Sequence, residues 1–571
     1  MTDTMVDQPT RIATPTDLAL LQERLATAAE GRRRVLVCST GCLAIGAREV
    51  EAAFRDEVAA AGLVDEVDVV QTGCHGLCAM APVAVIEPDN IVYGRNRVKY
   101  IPDVIAKTVM NGEVIKRFCY GRDEEMAHID DIPFYAHQTK RVLRNVGRVD
   151  PQKIDDAIQR GVYSAAGKAL TKMEPDEIVE EVKASALRGR GGGGFPAGLK
   201  WEICKQNPGN DRYLICNADE GDPGAFMDRA LLEGDPHSVL EGMIISAYAI
   251  EATKGFIYVR AEYPIAVRHI RQAIDEARER GLLGDDILGS GYSLDVEVRE
   301  GAGAFVCGEE TAMIASLEGE RGVARPKPPY PAVRGYLGEP TIINNVETFA
   351  NVPLIVNEGG AAFAEFGTEG STGTKIIALA GQVNNTGLVE VPMGATIRDI
   401  VFGVGGGMPR NREFKAVQMG GPSGGCVPSA HLDLPIDYDS LKEVGAIMGS
   451  GGMIVMDNTT CIVDIARYFI AFCAEESCGL CAPCRLGTVQ LEEILNRITD
   501  GGGTLEDLDT LESLGEVVQK TSLCGLGQTA PNPVMSTLRH FRDEYLAHVV
   551  DKTCPAGVCK ALLPAEEGEE T

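Results

Sequence analysis

Residues 211–224, DRYLICNADEGDPG, are a short apolar run ending in a polar, acidic turn that carries Asn217, Asp219, Glu220 and Asp222. An apolar run bounded by turn residues reads as a strand buried on both faces. Working outward, GFIYVR (255–260) is a second such run, and LDVEVREGAGAFVCGEET (294–311) a third that enters a glycine-rich turn before the helical TAMIASLEG (311–319). Helical periodicity over about 237–251 and 264–280 separates them. Strand, helix, strand, helix, strand predicts a parallel α/β sheet with its polar loops gathered at one end, where such sheets bind ligands. The fingerprint G-x-G-x-x-G does not occupy the strand-to-helix position, so the unit is Rossmann-like without the usual dinucleotide loop.

Just upstream, RGRGGGGFPAGLKW (188–201) places glycines between Arg190 and Lys200. Such a loop brings backbone N–H groups close to an anion, although glycine-rich loops also serve as plain connections. The acidic side chains of the 217–222 turn suit ribose hydroxyls or flavin N–H groups, and equally suit helix and turn caps.

The cysteines lie further out. ESCGLCAPCRLG (476–487) sets Cys478, Cys481 and Cys484 three residues apart, and KTSLCGLGQTAPNP (520–533) supplies Cys524 beyond two helical stretches. A C-x2-C-x2-C run plus one distant cysteine matches a [4Fe–4S] ligand set; a zinc knuckle or buried thiols would also use cysteine, but zinc usually draws its ligands as two pairs. Near the start, RRVLVCSTGCLAIGA (33–47) and VDVVQTGCHGLCAMAP (67–82) end β-type runs in Cys38, Cys42, Cys74 and Cys78, with an amphipathic helix over 47–61 between them. The β-α-β-β-α order, closed by a helix over about 102–110, predicts a thioredoxin-like fold whose two cysteine pairs suit a [2Fe–2S] cluster or zinc. At the other end His548, Cys554 and Cys559, with Cys461, form a borderline-soft set suited to zinc, the alternative being a core cysteine and free thiols. Cys119, Cys204, Cys216, Cys307, Cys426 and Cys473 read as small buried hydrophobes.

Composition narrows the classes of function. Eighty-three acidic against 54 basic residues give the 571-residue chain a net charge of −29, which disfavours nucleic acid and anionic membranes. No apolar run is long enough to span a bilayer, and the polar N-terminus lacks a secretory signal, so a cytoplasmic location is expected. Seventeen cysteines in a reducing compartment argue for metal or redox chemistry over disulfides.

SALRGRGGGGFPAGLKW, NADEGDPGAFMDR, GAGAFVCGEETA, RPKPPYPA, NNVET and ESCGLCAPCRLG, in that order over roughly 130–548, closely resemble the flavin-bearing, NADH-oxidising subunit of respiratory complex I and its relatives in NAD-linked hydrogenases and formate dehydrogenases. The front cysteine domain and the CPAGVCKAL tail are most similar to the NADH-binding subunit of multimeric, often electron-bifurcating, hydrogenases. The resemblance implies FMN at Gly189, Arg190, Gly191, Gly192, Lys200, Asn217, Asp219, Glu220, Gly308, Glu309, Asn344 and Asn345. It implies NADH over the flavin, with adenine against Phe195 and Tyr330, Glu310 near the nicotinamide, and Asp222 facing the adenosine ribose, where a carboxylate favours NADH over NADPH. Glu309 and Glu310 are thus the expected catalytic pair. Zinc at Cys461, His548, Cys554 and Cys559 is implied as well.

Three departures from the family stand out. The first cysteine pair is spaced by three residues, where relatives usually have four. Ile203 occupies an often aromatic position. The sequence ends at LLPAEEGEET, where many bifurcating relatives continue into a further ferredoxin domain. The expected organisation is an N-terminal lead (1–30, mobile or a single helix), a thioredoxin-like [2Fe–2S] domain (31–118), a linker (119–150), a Rossmann-like FMN/NADH α/β domain (151–365), a small β-grasp domain (366–455), a helical [4Fe–4S] bundle (456–545) and a zinc-binding tail with an acidic terminus (546–571). The expected function is hydride transfer between NADH and FMN, then single-electron transfer through the clusters to a partner subunit of a hydrogenase, formate dehydrogenase or related complex, with ferredoxin a further partner. An electron-bifurcating core and a structural subunit with a decayed flavin site are the alternatives.

Overall fold

The computed structural model describes residues 11–563. In the N-terminal unit β1 (Arg33–Cys38) runs parallel to β2 (Val67–Thr72) and antiparallel to β3 (Ala84–Glu87), which pairs with β4 (Ile91–Tyr93), giving the order β2-β1-β3-β4. The crossover helix Ala47–Ala60 presents Val50, Phe54 and Val58 to the sheet, the i, i+4 spacing of one helical face. This is the expected thioredoxin-like arrangement. Its last helix is a single α-turn, Ile101–Asp103, that continues as a π-turn over Val104–Val109. Within the described residues the N-terminal lead forms the helix Pro15–Ala29, capped by Thr14, whose Leu18 and Leu21 enter the core of the α/β unit.

That unit holds β5 (Tyr213–Ala218), β6 (Lys254–Arg260), β7 (Asp295–Gly301) and β8 (Thr341–Asn345), all parallel, in the order β7-β6-β5-β8. The helices Pro236–Ala249 and Pro264–Arg280 fall where periodicity put them. The fourth strand, TIINN, was legible only as part of a motif. It pairs with β5 and so carries Asn344 and Asn345 to the same sheet end as Asn217.

The small sheet contains β9 (Thr374–Gly381), β10 (Gly387–Pro392), β11 (Phe414–Met419), β12 (Gly425–Pro428) and β13 (Gly452–Asp457), in the order β10-β9-β13-β11-β12 with β9 parallel to β13, as a β-grasp fold requires. Helices Ile462–Glu475, Ala482–Thr499, Leu505–Thr521 and Asn532–His540 close the chain around Ile470, Leu491, Leu495, Leu511 and Val534. No helix among the described residues is long and apolar enough to cross a membrane. The expected acidic terminus, residues 564–571, lies outside the described residues.

Two of the contacts between domains are fully buried joints. Lys375 on β9 forms an ion pair with Glu347 of the helix Val346–Glu358, both side chains about 1% exposed, which ties the small sheet to the α/β unit. The Cys74–Cys78 loop is welded on two sides. Leu388 N donates to Gly76 O (2.9 Å), and a Cβ on Gly76 would lie 2.6 Å from Leu388 O. A Cβ on Gly73 would lie 2.5 Å from Gly234 Cα.

Candidate flavin and iron–sulfur site

The glycine-rich loop closes over the end of the parallel sheet and is clamped to the small domain. Gly192 bridges Gly449, and Tyr438 Oη donates to Gly189 O (2.7 Å). A Cβ on Gly191 would press to 3.0 Å from Asn345 Cβ, so glycine keeps the loop against β8. Arg190 is fully buried. Its guanidinium donates to Arg188 O (3.0 Å) and Thr372 O (2.6 Å), so its charge braces the loop to the small domain and only Nε is left without a partner. Lys200 reaches Glu310 and donates to Ile343 O (2.7 Å).

The acidic turn splits into caps and free acceptors. Asn217 donates to Gly308 O (2.9 Å) and accepts from Asp219 N (3.1 Å). Glu220 accepts from Asp228 N and Arg229 N (both 3.1 Å) at the start of the helix Met227–Gly234, the capping role open to it from the outset. Asp222 accepts from Ser450 Oγ (2.7 Å) of the small domain. Burial pushes Asp219 and Glu220 up to about 7 and Asp222 to about 6, with Arg260, the two helix amides and Ser450 respectively pulling the other way. Asn345 donates to Asp228 Oδ2 (2.5 Å). With its amide set to satisfy both neighbours, Asn344 accepts from Trp201 Nε1 and donates to Ile343 O, each at 3.0 Å.

Glu309 caps the helix Glu310–Leu317 through Thr311 N (2.9 Å) and Ala312 N (3.0 Å) and pairs with Lys327 (2.8 Å). Phe195 and Tyr330 are 50% and 57% exposed, open aromatic faces where the resemblance puts adenine. Both oxygens of Asp219, Asp228 Oδ1 and Arg190 Nε are buried without partners. Buried polar atoms are ordinarily paired. A concentration of orphans at one sheet end, under a loop that a Cβ would fill, fits a polar, multiply hydrogen-bonding group such as FMN. Asp228, Ser450, Trp201 and Lys327 are site neighbours that spacing did not single out. Asp228 and Lys327 lie inside motifs already read, but nothing local marks their partners.

The four C-terminal cysteines meet in one apolar recess, lined also by Val306, Ala324, Ser477, Leu480, Leu523 and Leu526. Cys481 is the N-cap of the helix Ala482–Thr499, Cys484 lies in its first turn, and Cys524 precedes the short helix Gly525–Thr529. Two helix N-termini thus face one site, which favours anionic ligands there. Burial raises the Cys524 thiol, offset by the Gly527 and Leu526 amides, and pushes Cys484 up to about 11. The turn Phe305–Gly308 is common to both sites. Gly308 O faces Asn217, Val306 lines the cysteine recess, and Phe305 N donates to Glu476 (2.9 Å).

At the N-terminal site Cys38 ends β1 and packs with Cys42, while Cys74 and Cys78 follow β2, its parallel neighbour in which Thr72 lies beside Cys38, so both cysteine loops leave the same end of the sheet. Cys38 and Cys42 are buried while Cys78 is exposed. In the tail, Cys461 Sγ lies 3.4 Å from His548 Nε2 and 3.8 Å from Cys559 Sγ, and the donor atoms of Cys461, His548, Cys554 and Cys559 all fall within 4.8 Å of one another. His548 Nδ1 bonds Glu544 O (2.7 Å), leaving Nε2 as the free donor. That separation suits a single tetrahedral ion.

Residues 182–354 match the Nuo51 FMN-binding domain, and 464–548 the iron–sulfur binding region of NADH-ubiquinone oxidoreductase-F. The chain is 56% identical over 426 residues, 75% of its length and 86% of the relative's, to the NADP-reducing hydrogenase subunit HndC of Solidesulfovibrio fructosivorans. It is 47% identical over 414 residues, 72% of its length and 98% of the relative's, to an NADH-quinone oxidoreductase subunit of Rhizobium meliloti. A crystal structure of an NAD+-reducing [NiFe]-hydrogenase in the H2-reduced state superposes with a TM-score of 0.64 at 31% identity, covering 94% of this chain and 90% of that one. With both family regions, the glycine-rich loop over the sheet end and the four-cysteine recess in one chain, the protein belongs to the Nuo51 family of FMN- and iron–sulfur-binding oxidoreductase subunits.

Proposed function

We propose that the chain is the NADH-oxidising subunit of a multisubunit oxidoreductase, holding FMN under the glycine-rich loop and a [4Fe–4S] cluster on Cys478, Cys481, Cys484 and Cys524. The observation that carries this is the shared turn Phe305–Gly308, which gives its last carbonyl to the flavin end and its valine to the cysteine recess. FMN, when bound, accepts hydride from a nicotinamide and releases electrons one at a time.

The chain's own work is positioning and electrostatics. Lys200, held by Glu310 and Ile343 O, sets a cation at the sheet end. Asn217, Asn344 and Asn345 are fixed by Gly308, Trp201 and Asp228, so their remaining polar groups are pre-aimed and need no reorganisation on binding. Glu309 and Glu310, each paired to a lysine, are the groups to orient the nicotinamide carboxamide, while Phe195 and Tyr330 stack adenine and Asp222 disfavours a 2′-phosphate.

Two further sites complete the reading. Cys38, Cys42, Cys74 and Cys78 come from two loops at the same end of the sheet, which supports a [2Fe–2S] cluster as a second relay. Cys461, His548, Cys554 and Cys559 converge tightly enough to support structural zinc. Electrons then pass to iron–sulfur subunits of a hydrogenase, formate dehydrogenase or related complex, or to ferredoxin, in the cytoplasm.

The test is an anaerobic NADH titration of the full chain, following flavin absorbance and EPR together. Flavin bleaching with iron–sulfur signals is expected. A protein that takes up no flavin, or whose flavin NADH leaves oxidised, would sink the reading in favour of a structural subunit.

A further inference from the structure

Among the described residues three hydroxyl groups are buried without a hydrogen-bond partner: Thr40 Oγ1, Tyr135 Oη and Ser522 Oγ. A hydroxyl rotates freely about its C–O bond and normally finds an acceptor, because leaving it dry and unpaired is destabilising. Its neighbours in this protein do find one. Thr72 gives its hydroxyl to Val37 O (3.3 Å), and Thr488 to Cys484 O (2.7 Å). All three orphans sit at iron–sulfur cysteines.

Thr40 lies in the chain between Cys38 and Cys42 and is 2% exposed. Tyr135 belongs to the segment between the first two domains, which sequence reading treats only as a linker. Its short helix, Pro133–Ala136, packs on the Cys74–Cys78 loop. A Cβ on Gly76 would meet Phe134 at 3.5 Å, and the Phe134 and Tyr135 rings are 5.1 Å apart. Tyr135 shares a buried cluster with Leu77 of that loop, and a tyrosine phenol keeps its proton at neutral pH and so remains a donor. Ser522 is two residues from Cys524. A Cβ on Gly527 would sit 2.6 Å from Ser522 Oγ and 2.9 Å from Cys484 Cβ, which places this hydroxyl against the cysteine recess.

We propose that Thr40 and Tyr135 donate O–H···S hydrogen bonds to sulfur of the N-terminal cluster and Ser522 to sulfur of the C-terminal cluster, and that these bonds set the two reduction potentials. The inference rests on the cluster assignments made above. Reduction adds negative charge to a cluster, so a donor stabilises the reduced form more than the oxidised one. Removing a donor therefore makes its cluster harder to reduce. These are positioning residues, and none of them transfers the electron.

An EPR-monitored redox titration of the full-length protein tests this, with proton ENDOR of the reduced clusters after exchange into D2O. Tyr135→Phe and Thr40→Val should each lower the midpoint of the N-terminal cluster, by up to about tenfold in the reduction equilibrium or ~59 mV for a one-electron couple. Each should also lose one exchangeable-proton coupling, while Thr40→Ser keeps both midpoint and coupling. Ser522→Ala should do the same to the C-terminal cluster alone. Unchanged midpoints and couplings in the Phe, Val and Ala variants would overturn the proposal. If Tyr135→Phe fails to fold, the Thr40 pair and Ser522→Ala decide it. If Cys38, Cys42, Cys74 and Cys78 of the parent protein take up no iron, the N-terminal cluster assignment falls together with its two donors, and Ser522→Ala still decides the third.

Discussion

Glu241 shows how far a single side chain's environment departs from what its letter suggests. It sits mid-helix in an apolar stretch, is 1% exposed, and accepts from Ala165 N (2.8 Å) and Ala166 N (3.1 Å) at a helix start 75 residues upstream. Burial pushes it up to about 7, the amides holding it lower than burial alone would. A carboxyl raised in the folded state adds stability at low pH that is lost as pH climbs from the unfolded value through the folded one. Relative to Glu241→Gln, the wild-type chain should therefore lose about 3 kcal/mol between pH 4.5 and 7, read by calorimetry of both proteins across that range. Equal pH dependence of the two would refute it. At the active end, Glu310→Gln weakens the hold on Lys200 and should lower kcat for NADH oxidation roughly 10- to 100-fold with flavin content intact. Stopped-flow flavin reduction checks this, and loss of flavin instead would make Glu310 structural. Such residues were half legible. The motif marks Glu220 as special, but its capping of Asp228 N and Arg229 N is a fact of folding that no spacing states.

Elements meet through contacts that sequence separation hides. Lys375 reads as a polar residue in a strand, yet it is fully buried against Glu347, from a helix of another domain. Replacing it by Met strands the Glu347 carboxylate and should cost about 3–5 kcal/mol, whereas Lys375→Met with Glu347→Leu should recover much of that. Thermal unfolding of the three proteins measures it, and a double variant no better than the single one would mean the pair does more than neutralise itself. In the C-terminal bundle, Gly527 leaves no room for a methyl beside Ser522 and Cys484. Gly527→Ala should lower [4Fe–4S] content, assayed as iron and sulfide per chain, and a full complement would show that the recess can widen. That Cys478, Cys481, Cys484 and Cys524 would meet was readable as an expectation, because three cysteines at steps of three are a local feature, whereas the short helix Gly525–Thr529 after Cys524 was not, the sequence suggesting only a glycine-punctuated loop there. Nor was the strand Thr341–Asn345, since its burial comes from pairing with Tyr213–Ala218, more than a hundred residues away.

For the whole molecule, periodicity and cysteine spacing suggest the thioredoxin-like, α/β and helical parts and the family resemblance the small β-grasp sheet, whereas the joints between them emerge only in three dimensions. The tail closes back on the helical domain at the four-ligand set that the sequence already suggested. Cys461 from the start of one helix meets Cys554 and Cys559 from beyond the last, so removing the proposed zinc with a strong chelator, or Cys554→Ser, should lower the melting temperature of the helical domain by several degrees while the flavin transition stays put. Calorimetry resolves the two, and a single shared transition would contradict it. The Cys74–Cys78 loop is a joint between domains, pressed glycine to glycine against Gly234 and bonded through Gly76 to Leu388. The [2Fe–2S] cluster proposed for this loop, gripped on two sides, cannot act as a swinging arm. Electrons must tunnel to it over a fixed gap, with no diffusional gate, so their rate should be indifferent to solvent viscosity where a hinged carrier would slow as the medium thickened.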